Sequence, residues 1–293
     1  MILHVRHTTR YRYPGPAQAS HNEVRLEPLS DSSQDLIDFQ LLVSPPAKTF
    51  RYMEVGGPVH NFYVGGPHRE LEITARSTVA TRLENPFMKL DLLVKPGQDW
   101  VFYEEADVRA AYCEYLVPTK FVGFHPKAVA MGLSCKGDSA TDTLLAINSV
   151  VNQSLSYQSG ATDVHSTLDA VLADHAGVCQ DFAHLMLAAT RSLGIPSRYV
   201  SGYLYVAPNE HGMRGELATH AWVECLFPDE RWHAFDPTNN VMANDHHIRV
   251  HLGRDYADVT PTRGVYVGPP SESLEVEVEV EAMSGQIQMQ TMG

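Results

Sequence analysis

The chain has 293 residues, 44% of them apolar and 19% charged, a balance that supports a hydrophobic core without a disulfide or metal staple. Its formal charge of −13 argues against a nucleic-acid partner, because phosphate contacts need clustered Lys and Arg and no basic block reverses the sign locally. There is no apolar run of about 18 residues to span a membrane, and Cys113, Cys135, Cys179 and Cys225 are scattered without a CxxC pair, which suggests free thiols and a cytoplasmic location.

The opening Met1-Ile2-Leu3-His4-Val5-Arg6 reads as a strand rather than a leader. Leu3, Val5, His7, Thr9, Tyr11 and Tyr13 alternate with His4, Arg6, Thr8, Arg10 and Arg12, the period-two pattern of a half-buried strand. Further short strands are expected at 23–26, 38–43, 49–55, 59–64 and 70–83, with turns at Gly56-Gly57-Pro58 and Gly65-Gly66-Pro67. This gives a small all-β, sandwich-like domain over residues 1–85, followed by an irregular connecting segment over 86–138 that begins at Asn85-Pro86. No fixed-period repeat is present.

Residues 139–293 are expected to form an α+β core with C-terminal strands. Leu144, Ile147, Val151 and Leu155 lie on one face of a helix that starts near Ser139. Ser166-Thr167-Leu168-Asp169 has the form of a capping box ahead of a short helix. A third helix runs from Cys179 to about Leu193, with Phe182, Leu185, Met186 and Ala189 on its apolar face, Gly194 as its terminator and Pro196 beyond. A strand at 199–206 precedes a hairpin of 219–227 and 231–236. Near the end, Leu274, Val276, Val278 and Val280 alternate with Glu275, Glu277, Glu279 and Glu281, a strand with one solvated acidic face.

The chemistry-bearing residues are Cys179, His220 and Asp236. A thiol in the first turn of a helix feels the dipole and unpaired N–H groups, which favour the thiolate and could hold an oxyanion. Taken alone, Cys179 could equally be a core cysteine. A hairpin centred on Pro228 would place His220 directly opposite Asp236 on one face, close enough for an imidazole–carboxylate hydrogen bond. Asp236 would then orient His220, and the imidazolium would favour the Cys179 thiolate. Cys225 falls on the opposite face by strand parity.

The stretches Gly177-Val178-Cys179-Gln180-Asp181-Phe182-Ala183-His184, His220-Ala221-Trp222-Val223-Glu224 and Trp232-His233-Ala234-Phe235-Asp236-Pro237-Thr238 resemble the core motifs of the transglutaminase-like superfamily of papain-type thiol enzymes. The front segment is similar to the N-terminal β domain of bacterial members. The stretch from Gly253 to Val265 resembles a segment those members carry after the core. The resemblance implies a papain-type core in which Cys179 is nucleophile, His220 general acid/base and Asp236 orienting carboxylate. It implies a cysteine peptidase or amidase acting on peptide or protein amides, with amine transfer or an idle binding scaffold as alternatives. Gln180 stands where animal transglutaminases carry Trp, and no EF-hand-like loop is present, so cross-linking and calcium activation are not carried over.

Tyr157, Gln180 and Trp222 are candidates for oxyanion or substrate contacts, with packing the other reading for Tyr157 and for Trp222. Asp181 suits the helix dipole, and His184 is expected at the surface or between domains. His246, His247 and His251 read as a solvated histidine-rich loop. No cofactor or metal is expected. Substrate identity and homo-oligomerisation are left open.

Overall fold

The computed structural model describes residues 1–82, 98–160, 166–207, 213–214, 219–270 and 273–283. The expected strand end at Leu83 and the Asn85-Pro86 break lie outside the described residues.

The N-terminal region forms four antiparallel strands: β1 (Ile2–Val24), β2 (Gln34–Ser44), β3 (Thr49–Glu54) and β4 (Gly57–Thr81). Two of the short strands expected from the sequence merge into β1, and two more merge into β4. Gly65-Gly66-Pro67 does not turn the chain. It forms an irregularity within β4, where the pairing shifts between Ala17↔His68 and Ala19↔Gly65. Gly66, at φ +89°, takes the left-handed backbone the bulge needs.

Among the described residues, seven α-helices and nine strands follow. The helices α1 (Gln98–Glu104), α2 (Ala106–Ala111) and α3 (Pro126–Cys135) occupy most of the described part of the segment expected to be irregular. Tyr103, Val122 and Ala128 from this stretch are buried in the same apolar cluster as the later helices, so it belongs to the core rather than linking to it. α4 (Ala140–Ser154) is capped by Ser139, whose side chain accepts from Asp142 N, and presents Leu144, Ile147 and Val151 inward as its periodicity requires. β5 (Ser156–Tyr157) pairs in parallel with β6 (Ala176–Gly177). Between them α5 (Leu168–Asp174) is capped by Thr167, one residue later than the sequence signal.

α6 (Cys179–Ser192) is almost wholly buried, and each fully buried Leu or Phe on it contributes about 1.5–3 kcal/mol. It packs on a five-stranded sheet of order β10-β9-β8-β7-β11, built from β7 (Ser197–Leu204), β8 (His220–Leu226), β9 (Trp232–Asp236), β10 (Val241–Met242) and β11 (His247–Gly253). Ala221, Val223, Cys225 and Phe235 face the helices.

The C-terminal strands expected within the core leave it. After α7 (Tyr256–Val259), β12 (Thr262–Val267) and β13 (Ser273–Ala282) both pair with β1, making the N-terminal sheet six-stranded. The acidic row of β13 is therefore not merely solvated. Glu279 pairs with Arg6, and Glu275 pairs with Arg10 and Arg12 across the strand boundary.

The N-terminal sheet also closes the open edge of the core sheet. Leu29 N donates to Arg249 O at 3.0 Å, Leu252 N donates to Gly56 O at 2.9 Å, and the Gln34 side chain receives Arg249 N at 2.8 Å. These bonds satisfy the exposed side of β11. Leu3, Val5 and Val79 pack beside Tyr203, Ile248 and Val250 to seal the junction. No helix among the described residues is long and apolar enough to cross a membrane.

Candidate active site

Cys179 opens α6 because the preceding loop turns sharply. Gly177 lies so close to Asp181 that a Cβ there would fall 2.7 Å from the Asp181 side chain. Asp181 uses that proximity to accept a hydrogen bond from Val178 N at 2.8 Å, which caps the helix start just before the thiol. Cys179 is partly exposed, and its Sγ points to Thr219 O at 3.8 Å, the residue before His220.

His220 and Asp236 are fully buried, and His220 Nε2 meets Asp236 Oδ2 at 2.8 Å. The expected direct opposition is not how they meet. The hairpin register is Val223↔Phe235, Glu224↔Ala234, Cys225↔His233 and Leu226↔Trp232. Continued, it sets Trp222 opposite Asp236, so His220 reaches Asp236 diagonally. The cause is the turn. Phe227 N bonds to Arg231 O and Glu230 N to Phe227 O, and Glu230 takes φ +59°. That is a three-residue loop with a left-handed closing residue, centred on Asp229 rather than Pro228. The resulting offset is two residues, so the face is preserved and only the distance between Cα atoms grows.

Three further residues, none singled out at the sequence level for this role, converge on Asp236 (0% exposed). Its Oδ2 accepts from Asn239 Nδ2 at 2.7 Å and meets His247 Nε2 at 3.3 Å, while Oδ1 accepts from Thr238 N at 3.0 Å and Asn239 N at 3.2 Å. The run Asp236-Pro237-Thr238-Asn239 is a turn whose first carboxylate bonds the backbone two and three residues on, and that part of the signal is local. His247 comes from β11, two strands from β8, and no local pattern foretells it. His247 and His251 are not in a solvated loop. They lie on β11 with 1% and 2% exposure.

The electrostatics follow from these contacts. Burial alone would raise Asp236, but His220 and then His247 hold its carboxyl well below the ordinary range. Burial alone would lower His220, but Asp236, and secondarily Cys179, push it well above the ordinary histidine value. Burial keeps His247 lower than usual, only partly offset by Asp236. His220 Nδ1 is buried and has no partner at hydrogen-bond geometry among the described residues, although Cys179 is near enough to influence the ring. The thiol itself rests on Thr219 O at 3.8 Å.

Tyr157, on β5, is half-buried, with its ring centre 6.5 Å from that of Phe182 and the Arg214 guanidinium 5.6 Å from its own. Burial, and then Cys179, raise its hydroxyl, while Arg214 draws it down, so the ring lies within range of both. Gln180 is buried at 7% exposure. Trp222 is fully buried with its ring over Gly202, where a Cβ would fall 2.4 Å from it, and its centroid is 6.0 Å from that of His220. Trp222 is thus a wall behind the imidazole, not an exposed platform. His184 is also internal, at 2% exposure. It stacks on Phe121, and its Nε2 accepts from Tyr256 N at 3.2 Å.

The ligand atoms of His220, Asp236 and His247 lie within 4.8 Å of one another, the one such cluster among the described residues. The separations of 2.8 and 3.3 Å to Asp236 Oδ2 are those of hydrogen bonds, and an ion bound here would displace the proton that His220 shares with Asp236.

Residues 127–237 match the model of the transglutaminase-like superfamily, and residues 3–80 match that of the bacterial transglutaminase-like N-terminal region. An uncharacterised protein of Mycobacterium leprae is 35% identical over 288 residues, covering 96% of this chain and 99% of that one. A protein-glutamine gamma-glutamyltransferase of Pseudomonas aeruginosa is 33% identical over 84 residues, 28% of this chain and 13% of that one. The fold is similar to the crystal structure of a "Putative Cysteine Protease" from Cytophaga hutchinsonii, with a TM-score of 0.74 at 21% identity, covering 97% of this chain and 92% of that chain.

Proposed function

From the premise that this chain belongs to the transglutaminase-like superfamily, we propose that it cleaves peptide or glutamine-like amide bonds through a Cys179 thioester. The observation that carries this reading is the buried His220–Asp236 pair beside a thiol at a helix start.

In this mechanism Cys179 rotates its sulfur from Thr219 O to His220 Nδ1 and gives up its proton to the ring. The thiolate adds to the amide carbon, and the carbonyl π electrons move to oxygen. Unpaired N–H groups in the first turn of α6 are placed to receive that oxyanion. The C–N bond breaks as His220 protonates the leaving amine. Water then loses a proton to His220 and attacks the thioester, which releases the acid and returns the thiol. Asp236 holds the ring through Nε2 and keeps Nδ1 turned to the sulfur. Tyr157 is a candidate second donor to the oxyanion, and Gln180 and Trp222 support the site from within.

Alkylation tests the nucleophile. Iodoacetamide should modify Cys179 faster than Cys113 or Cys225, and Cys179→Ala should abolish the fast phase; labelling of Cys179 at the rate of Cys113 or slower would refute the reading. Burial raises the Cys225 thiol well above its ordinary value, which makes it a slow internal reference. Amine transfer is the second reading, favoured by the segment shared with the gamma-glutamyltransferase. A labelled amine added to a glutamine-peptide reaction separates the two, since an amide adduct marks transfer and free acid marks hydrolysis.

A further inference from the structure

Tied through Asn239 to the Asp236 carboxylate is a cation that the mechanism above does not use. Arg214 is exposed, and its guanidinium lies over the ring of Tyr157 at 5.6 Å. Among the described residues it makes no ion pair, whereas Arg10, Arg25, Arg51, Arg198, Arg249, Arg254 and Arg263 each meet a carboxylate.

Its position is held from the triad itself. Arg214 N donates to Asn239 Oδ1 at 2.8 Å, and Asn239 Nδ2 donates back to Arg214 O at 3.2 Å. The same Nδ2 donates to Asp236 Oδ2 at 2.7 Å. One side-chain amide therefore grips both backbone groups of Arg214 and the carboxylate that orients His220. The Arg214 Cα is thereby fixed relative to Asp236, while its side chain is exposed and meets no carboxylate among the described residues. Tyr157, which lies within range of both Cys179 and Arg214, supplies the flat surface on which the guanidinium rests.

We propose that Arg214 is a specificity residue that selects amide substrates carrying a carboxylate near the bond to be cleaved. The proposal rests on the thiol-enzyme reading of Cys179 and adds its substrate class. A planar guanidinium matches a carboxylate in a two-pronged hydrogen bond. The chain as a whole carries −13 and repels acidic peptides at long range. That field is screened beyond about 8–10 Å, so a single local cation decides recognition within the site.

Two readouts test this, one of them independent of turnover. The first is the ratio of Cys179 alkylation rates by iodoacetate and by iodoacetamide, which differ in charge but share a leaving group. Arg214→Gln should lower that ratio about fivefold and Arg214→Glu by about as much again, while Arg214→Lys should restore most of it. The second is a pair of amide peptides differing only in Glu or Gln beside the scissile bond. The Glu member should be preferred by about tenfold in the native protein, a preference that R214Q removes and R214E reverses. A rate ratio and a peptide preference both unchanged in R214Q and R214E, with Cys179 still alkylated, would overturn the assignment of Arg214 alone. A Cys179 that neither reagent modifies would overturn the thiol-enzyme reading and this proposal with it.

Discussion

Two carboxylates are buried on the same face of the core sheet, on adjacent strands: Asp236 at 0% exposure and Glu224 at 1%. Both are held below their ordinary range against the effect of burial. Their partners differ. Asp236 is met by two imidazoles and an amide, from His220, His247 and Asn239. Glu224 is met by two guanidiniums, Arg198 at 2.6 Å and Arg249 at 2.8 Å, and Arg249 continues to Asp31 and Ser33 of the N-terminal region. An imidazole exchanges its proton near neutral pH and a guanidinium does not. The same kind of buried acid is therefore set beside proton-exchanging rings in one place and forms a permanent lock between the two sheets in the other. A cavity of about 900 Å³ lies on this face, lined by Glu224, Arg249, Trp222 and His247 but not by Cys179, so its volume belongs with the lock rather than with the thiol.

This contrast can be broken at either end. Asp236→Asn should produce the largest effect, a fall in kcat/KM of about 10³-fold with the fold retained, because the ring loses its orienting anion. The same change should move the alkaline limb of the activity profile down. His220 is raised mainly by Asp236, so without that charge the imidazolium deprotonates at lower pH, and activity that needs the charged ring is lost earlier as pH rises. A limb that stays in place in D236N would show that Asp236 is not the group holding His220 up.

Glu224→Gln should do the opposite, lowering stability by about 3–5 kcal/mol because two part-buried guanidiniums lose their shared buried anion. Activity per folded molecule should change little, and denaturant unfolding beside active-site titration separates the two quantities. Equal losses of activity per folded molecule in E224Q and D236N would erase the distinction between lock and triad.

His247→Gln should lower kcat by about tenfold, the scale of one hydrogen bond to a buried charge, with KM nearly unchanged. His247→Phe should cost more, since it leaves that side of Asp236 without a donor. The smallest effect is expected at the surface. The Arg6–Glu279 pair is half-exposed on both sides, and Glu279→Gln should shift stability by about 0.5 kcal/mol or less.

Much of the site is legible in the chain because its parts are local. The start of α6 follows from the apolar spacing of Phe182, Leu185, Met186 and Ala189 and from the glycine and proline that end the helix. The common face of His220 and Asp236 follows from strand parity, which survives the error in locating the turn because the true register differs by two. A difference of one would have sent Asp236 to the helix side. The β13 glutamates are legible as a strand with one acidic face, but their partners Arg6, Arg10 and Arg12 lie more than 260 residues away in the chain.

The amino-acid order alone determined which residues could carry the chemistry, since helix period, strand parity and turn composition are properties of short stretches. Tertiary structure decided which distant groups gather around them: His247 from an outer strand, Asn239 tying Arg214 to Asp236, and the last described strands joining the first. Those choices depend on how sheets stack and on which edges remain to be covered, and a backbone group or buried charge finds its partner in space rather than along the chain.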